Sequence, residues 1–211
     1  GITGIDGSKH LFEASRDLGR QFEIWSESNP VNGPITSLSI THAHLGHIDG
    51  LGLFGKEVMG VKDLQLFCSQ SISDLIQKTP AWKQMNEQGV FHTNIWEPMI
   101  PFSPTPDCGF TITAVPVPHR AELSDNHALL VSGPNRNLLF MPDHDDWDQT
   151  LQTHNATSIR EWLDSLDVDV ALIDGTFWDS NELSHRDIAE IPHPTILETI
   201  NLLGTRQEGD P

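Results

Sequence analysis

Four apolar segments, far apart along the chain, each run into a side chain that can bind a metal ion. "ITSLSITH" reaches His42, "FTITAVPVPH" reaches His119, "LLFMPD" reaches Asp143, and "VDVALIDGTFW" passes through Asp174. Their β-branched content and apolar patterning read as strands. One polar residue closing a strand is common. Four residues of these types point to strand ends gathered on one rim, where a rigid scaffold converges groups from distant parts of a chain.

The intervening sequence supplies the other elements. "HLFEASRD" reads as a strand running into a loop, and "RDLGRQFEIWSES" as a short amphipathic helix ended by "NPVNGP". "LQLFCS" is a buried strand, followed by helical pieces in "SISDLIQKTPAWKQMNEQG" that Pro80 interrupts, with Ser71 and Ser73 as expected caps. "HALLVSG" and "LLFMPD" form a hairpin across "PNRN". "TSIREWLDSL" spaces its apolar residues for one helical face, and the closing part gives a loop around His193 before a helix capped by Gly204. Strands and helices mixed in this way, without strict alternation or an internal repeat, favour a layered α/β arrangement with mixed sheets.

At 211 residues the chain is read as one domain over 1–211. Twelve basic residues against thirty acidic ones give a formal charge of −18. That balance repels phosphate backbones and anionic lipid, so nucleic acid is not the expected partner, and the acidic cluster "DHDDWD" becomes a candidate cation site. No stretch approaches the roughly 20 apolar residues of a spanning helix. A soluble, cytoplasmic protein is expected, with periplasmic or secreted placement as alternatives, acting on a small molecule and able to form a homodimer. Cys68 and Cys108 are expected as unpaired thiols. Trp25, Trp82, Trp96, Trp147 and Trp178 could wall a pocket for a ring-bearing substrate, although a buried tryptophan is more often core.

"THAHLGHIDGL" places His42, His44 and His47 directly after a strand. Imidazole nitrogen and carboxylate oxygen ligate zinc, manganese and iron. His42 and His44, two apart, can turn towards one ion, and His47 towards a neighbouring one, so one or two divalent ions are expected, zinc foremost. His10, His92, His127, His144, His154 and His185 are expected at the surface or as satisfied polar residues, with His144 and His185 lying beside the site.

"THAHLGHIDGL", "VPH" at His119 and "MPD" at Asp143 resemble the metal-binding motifs of the metallo-β-lactamase superfamily, in matching order across nearly the whole chain. "HLGH", "MPDHDDW", "LIDGTFW" and "RDIAEIPHP" are most similar to the branch of pyrroloquinoline quinone synthesis protein B. The resemblance implies an αββα sandwich of two mixed sheets flanked by helices. It implies His42, His44 and His119 around a first ion, with His47 and Asp143 serving a second and Asp143 bridging. Gly46 departs from the pattern, because it stands where the signature has an aspartate and cannot coordinate. His193 in "IPHP" looks like the proton donor of phosphodiesterase-like relatives, with metal ligand as the alternative. Asp174 is expected to orient a ligand histidine or to cap a loop. Native segments are expected beyond both ends of the chain.

The chemistry expected is metal-dependent hydrolysis of an ester, lactone or phosphodiester. The alternatives are an iron-dependent oxidase or oxygenase and a non-catalytic metal-binding protein.

Overall fold

The computed structural model describes residues 1–28, 34–182 and 191–211. The expected stop "NPVNGP" falls largely outside them, and His185 wholly so. The first sheet joins β1 (Ile2–Thr3), β2 (Lys9–Phe12), β3 (Ser37–Ser39), β4 (Leu64–Cys68) and β5 (Phe91–Ile95) in that spatial order. β1 runs antiparallel to β2, and the remaining neighbours are parallel. The second sheet joins β6 (Thr111–Pro116), β7 (His127–Ser132), β8 (Asn137–Met141) and β9 (Val170–Ile173). Here β6, β7 and β8 alternate direction and β9 lies parallel to β8, so β6, β8 and β9 all point their carboxyl ends one way.

Side-chain alternation along these strands builds three apolar layers. On β7, Leu129 and Val131 face the space between the sheets, while Ala128 and Leu130 face the outer helices. β8 repeats the pattern, with Phe140 inward and Leu139 and Met141 outward. Phe12 stacks on Phe140 with ring centroids 5.9 Å apart, joining the two sheets. Outside the first sheet, Leu38, Leu64 and Leu66 pack with Ile72 and Ile76 of α3 (Gln70–Lys78). α1 (Leu18–Ser28) and α4 (Pro80–Glu87) add Leu18 and Met85 to that layer. Outside the second sheet, α5 (Trp147–Thr153) and α6 (Ile159–Ser165) contribute Trp147 and Trp162, and α7 (Ile196–Leu203) closes the layer. The result is the αββα sandwich of two mixed sheets.

Several local expectations need correction. Ser69, not Ser71 or Ser73, caps α3, its hydroxyl accepting from the Ile72 N–H, because the helix begins at Gln70, two residues before a cap at Ser71 would start it. Pro80 separates α3 from α4 but also begins α4 at its first position, where its missing N–H has no partner to lose. β3 ends at Ser39, so His42 lies in the connection beyond the strand, and β6 stops at Pro116, ahead of a second proline at Pro118. Gly204 does cap α7, at φ 64°.

Trp147 and Trp96 are buried in the core. The Trp147 indole N–H donates to the Thr199 hydroxyl at 2.9 Å, so this ring serves packing rather than a pocket wall. Cys68 and Cys108 are free and buried, and burial pushes the Cys68 thiol up to about 12. Among the described residues no helix is long and apolar enough to cross a membrane.

Candidate metal centre

The connections that follow β3, β6, β8 and β9 meet at one rim. After β3 the chain is pinned by main-chain bonds, the Thr41 N–H donating to Glu13 Oε1 at 3.0 Å and the Ala43 N–H to the Ser124 hydroxyl at 2.9 Å. It then turns into α2 (Leu45–Ile48), with His44 at the cap position and His47 in the final turn. Gly50 follows, where an added Cβ would collide with the main chain of Ala14 and Ser15, so the loop carrying Glu13 packs directly against this turn. His119 stands between β6 and β7. Asp143 stands after β8, its main-chain carbonyl accepting from the Asn126 amide at 2.8 Å.

His42, His44, His119 and Asp143 each offer one ligand atom, and these four atoms all lie within 4.8 Å of one another. His44 Nδ1 is 3.1 Å from His42 Nε2 and 3.1 Å from His119 Nε2. Asp143 Oδ2 is 3.5 Å from His42 Nε2 and 3.6 Å from His119 Nε2.

The outer ring nitrogens decide what this cluster can hold. His119 Nδ1 faces Asp145 Oδ1 at 3.0 Å, and His44 Nε2 faces Glu122 Oε2 at 3.2 Å. A carboxylate accepts only, so each outer nitrogen carries the proton. Burial lowers the pKa of both rings, that of His119 to about 3, and keeps them neutral. Their inner nitrogens therefore face each other at 3.1 Å as two lone pairs with no proton between them. A cation resolves that repulsion, and imidazoles oriented by outer carboxylates are the usual donor set for one. The residues fit a divalent ion.

His47 extends the cluster on one side. Its Nε2 is 3.3 Å from Asp143 Oδ2 and its Nδ1 is 3.3 Å from Glu13 Oε2. Burial alone would lower its pKa, but the two carboxylates prevail and raise it to about 10. Asp143 is likewise held well below the usual carboxylate range, burial being outweighed by His42 and His47. Glu13 is itself buried, and its main chain sits at φ 67°, a left-handed conformation uncommon outside glycine. Beside this group opens a cleft of about 380 Å³ lined by Trp25, Phe12, Phe140, Glu13, Gly46 and His47. A Cβ built on Gly46 would meet nothing within 4 Å beyond its own helix and chain neighbours, so a side chain has room to start there.

On the other side stands His193. Its Nδ1 is 2.6 Å from Asp174 Oδ2, and its Nε2 is 4.0 Å from Asp143 Oδ2. Asp143, Asp174 and His193 also offer ligand atoms within 4.8 Å of one another. His144 points away into the core. Its Nδ1 is 3.0 Å from the Thr150 hydroxyl, its ring sits edge-on to Trp147, and burial lowers its pKa to about 4.

All five sequence-derived ligand positions thus meet at one rim, with His193 and Asp174 adjoining them. Sequence reasoning missed Glu13, Arg120 and Glu122. Asp145 was foreshadowed only by the acidic cluster that contains it, and in that cluster Asp146 caps α5 instead of facing the site. Arg120 and Glu122 follow His119 closely but belong to no periodic pattern, and nothing near Glu13 marks it out.

A sandwich of two mixed sheets carrying a histidine and aspartate cluster at its rim defines the metallo-β-lactamase class of fold. The sequence profile described as "Beta-lactamase superfamily domain" matches residues 9–208, and the chain belongs to that family. No curated protein sequence gave a significant match. Among solved structures, zinc-bound PqqB from Methylobacterium extorquens superposes with a TM-score of 0.61 at 16% identity, over 90% of this chain and 62% of that one. A diphosphatase of the PhnP family gives 0.58 at 13% identity, over 94% and 64%. The short form of human tRNase Z gives 0.57 at 16% identity, over 91% and 75%. The chain spans less than two-thirds of the length of the first two. At these identities the likeness is one of fold.

Proposed function

We propose that the chain is a metal-dependent hydrolase that cleaves an ester, lactone or phosphodiester bond in a small molecule. The observation that carries this reading is the convergence of His42, His44, His119 and Asp143, whose ligand atoms fall within 4.8 Å. These four would hold a first ion. His47 and Asp143 would serve a second position, weakened by the glycine at Gly46. A divalent ion there supplies Lewis acidity, bringing the pKa of water to roughly 7 and polarising a carbonyl or phosphoryl oxygen.

The protein's own groups do the rest. Asp143 orients the attacking water. His193 donates its Nδ1–H to Asp174 and, in its doubly protonated form, carries a second proton on Nε2 that passes to the leaving group, an assistance typically worth about 10²- to 10⁴-fold. Family membership does not fix the substrate. The reading is tested by metal quantification on the native protein, then assay of phosphodiester, lactone and ester panels. Turnover that tracks bound metal is expected, and a metal-bearing protein inert to all three panels overturns it.

The open space at Gly46 favours a second reading, iron-dependent oxidation at a single metal. It predicts bound iron and oxygen uptake. A zinc- or manganese-bearing preparation with no oxygen consumption speaks against it.

A further inference from the structure

Among the described residues the Arg120 guanidinium has no hydrogen-bonding partner, although it lies near His44, Glu122 and Asp145. Arg120 follows His119, and its main-chain N–H donates at 3.2 Å to Asp145 Oδ1, the oxygen that also faces His119 Nδ1. Its Nη1 is 3.7 Å from Glu122 Oε1, beyond hydrogen-bond range, while the other Glu122 oxygen faces His44. The side chain is 30% exposed, yet its Nε is buried with no partner. Among the described residues the guanidinium makes no hydrogen bond at all.

Arg160 shows the usual alternative, bonding Asp210 at 2.6 Å and the Thr205 carbonyl at 3.0 Å. A buried donor left unpaired costs about 1–3 kcal/mol, so the Arg120 Nε–H needs a reason.

The charge around it suggests one. Glu13, Glu122, Asp143, Asp145 and Asp174 line the site of a chain whose formal charge is −18. That field repels an anion and is indifferent to a neutral ester. The planar guanidinium fork matches the paired oxygens of a phosphoryl or carboxylate group. A purely structural role, holding Glu122 and Asp145 in place, would call for hydrogen bonds to those carboxylates. Asp145 is met instead by the main chain.

We propose that Arg120 is the anion-recognition residue of this site and that the substrate carries an oxyanion, phosphoryl or carboxylate, beside the bond that is broken. This rests on the metal-hydrolase reading above and names its substrate class.

The test is calorimetric titration of inorganic phosphate and of malonate into the metal-loaded wild type, Arg120→Lys and Arg120→Gln proteins, with metal content and a melting curve for each. Phosphate or malonate binding should weaken about 10- to 100-fold in R120Q and less in R120K, with metal content unchanged. The anion bound more tightly by the wild type identifies the group recognised. R120K covers the case in which R120Q does not fold. Wild-type affinity in whichever variant folds, or loss of metal from it, overturns the proposal. Arginine-dependent anion binding in a protein that turns over none of the three substrate panels would support Arg120's role and remove the hydrolase reading.

Discussion

His193 Nδ1 lies 2.6 Å from Asp174 Oδ2, and the carboxylate is held from every side. Its other oxygen accepts from the Thr176 N–H at 3.0 Å and the Thr176 hydroxyl at 2.7 Å, and Oδ2 also takes the His144 N–H at 3.3 Å. A carboxylate fixed in this way sets the tautomer of its histidine. The proton stays on Nδ1, and Nε2 is turned towards Asp143. The same geometry serves a proton donor or a ligand, so the two roles must be separated by experiment.

Replacing Asp174 with Asn keeps the shape but offers an amide where His193 needs an acceptor. If His193 is the acid, Asp174→Asn should lower kcat about 10- to 100-fold with little change in KM. Metal content should hold. A coordinate loss of metal would show that the pair of His193 and Asp174 holds the ion instead. Steady-state kinetics with elemental analysis on the same sample decides it.

His44 is the hub of the cluster, 3.1 Å from two other imidazole nitrogens. His44→Ala should abolish both bound metal and turnover, read by elemental analysis and by assay of whichever panel substrate the native protein cleaves. Full activity in a metal-free mutant would be fatal to the reading of this cluster.

At Gly46 an added side chain meets open space. Gly46→Asp should therefore fold normally and restore a carboxylate at the second position. The second ion should bind more tightly than in the wild type, zinc most of all. A second-ion affinity unchanged by the substitution would mean that His47 and Asp143 do not face a second ion.

His47 titrates against that second ion. In the metal-free protein its pKa is raised to about 10, so at neutral pH a metal must displace a proton. Affinity of the second position should climb up to about tenfold per pH unit below pH 10, with about one proton released per ion, as calorimetry in two buffers would show. The stability of the metal-free protein should move oppositely. Because the folded pKa is raised, the contribution of His47 is complete below about 6.5 and is lost as pH rises through about 10. His47→Asn should remove that slope from thermal melts.

The sequence by itself determined the layers and which side chains gather at the rim. Apolar alternation fixed the hairpin of β7 and β8, Pro80 and Gly204 marked helix boundaries, and four polar residues at or just beyond apolar strands announced a common rim. Less was legible where the pattern was weak. β5, "FHTNI", alternates polar residues at an edge, and α5 was hidden behind an acidic run whose Asp146 turned out to be a cap.

Only the tertiary structure decided which groups stand behind the clustered histidines. Glu13 reaches Thr41 from 28 residues away, and His44 meets Glu122 across 78. Periodicity is a local property of a strand or helix, recorded in the order of residues. The partner of a ring nitrogen depends on how two sheets and their loops pack, and a lone carboxylate or guanidinium leaves no repeating trace of that in the sequence.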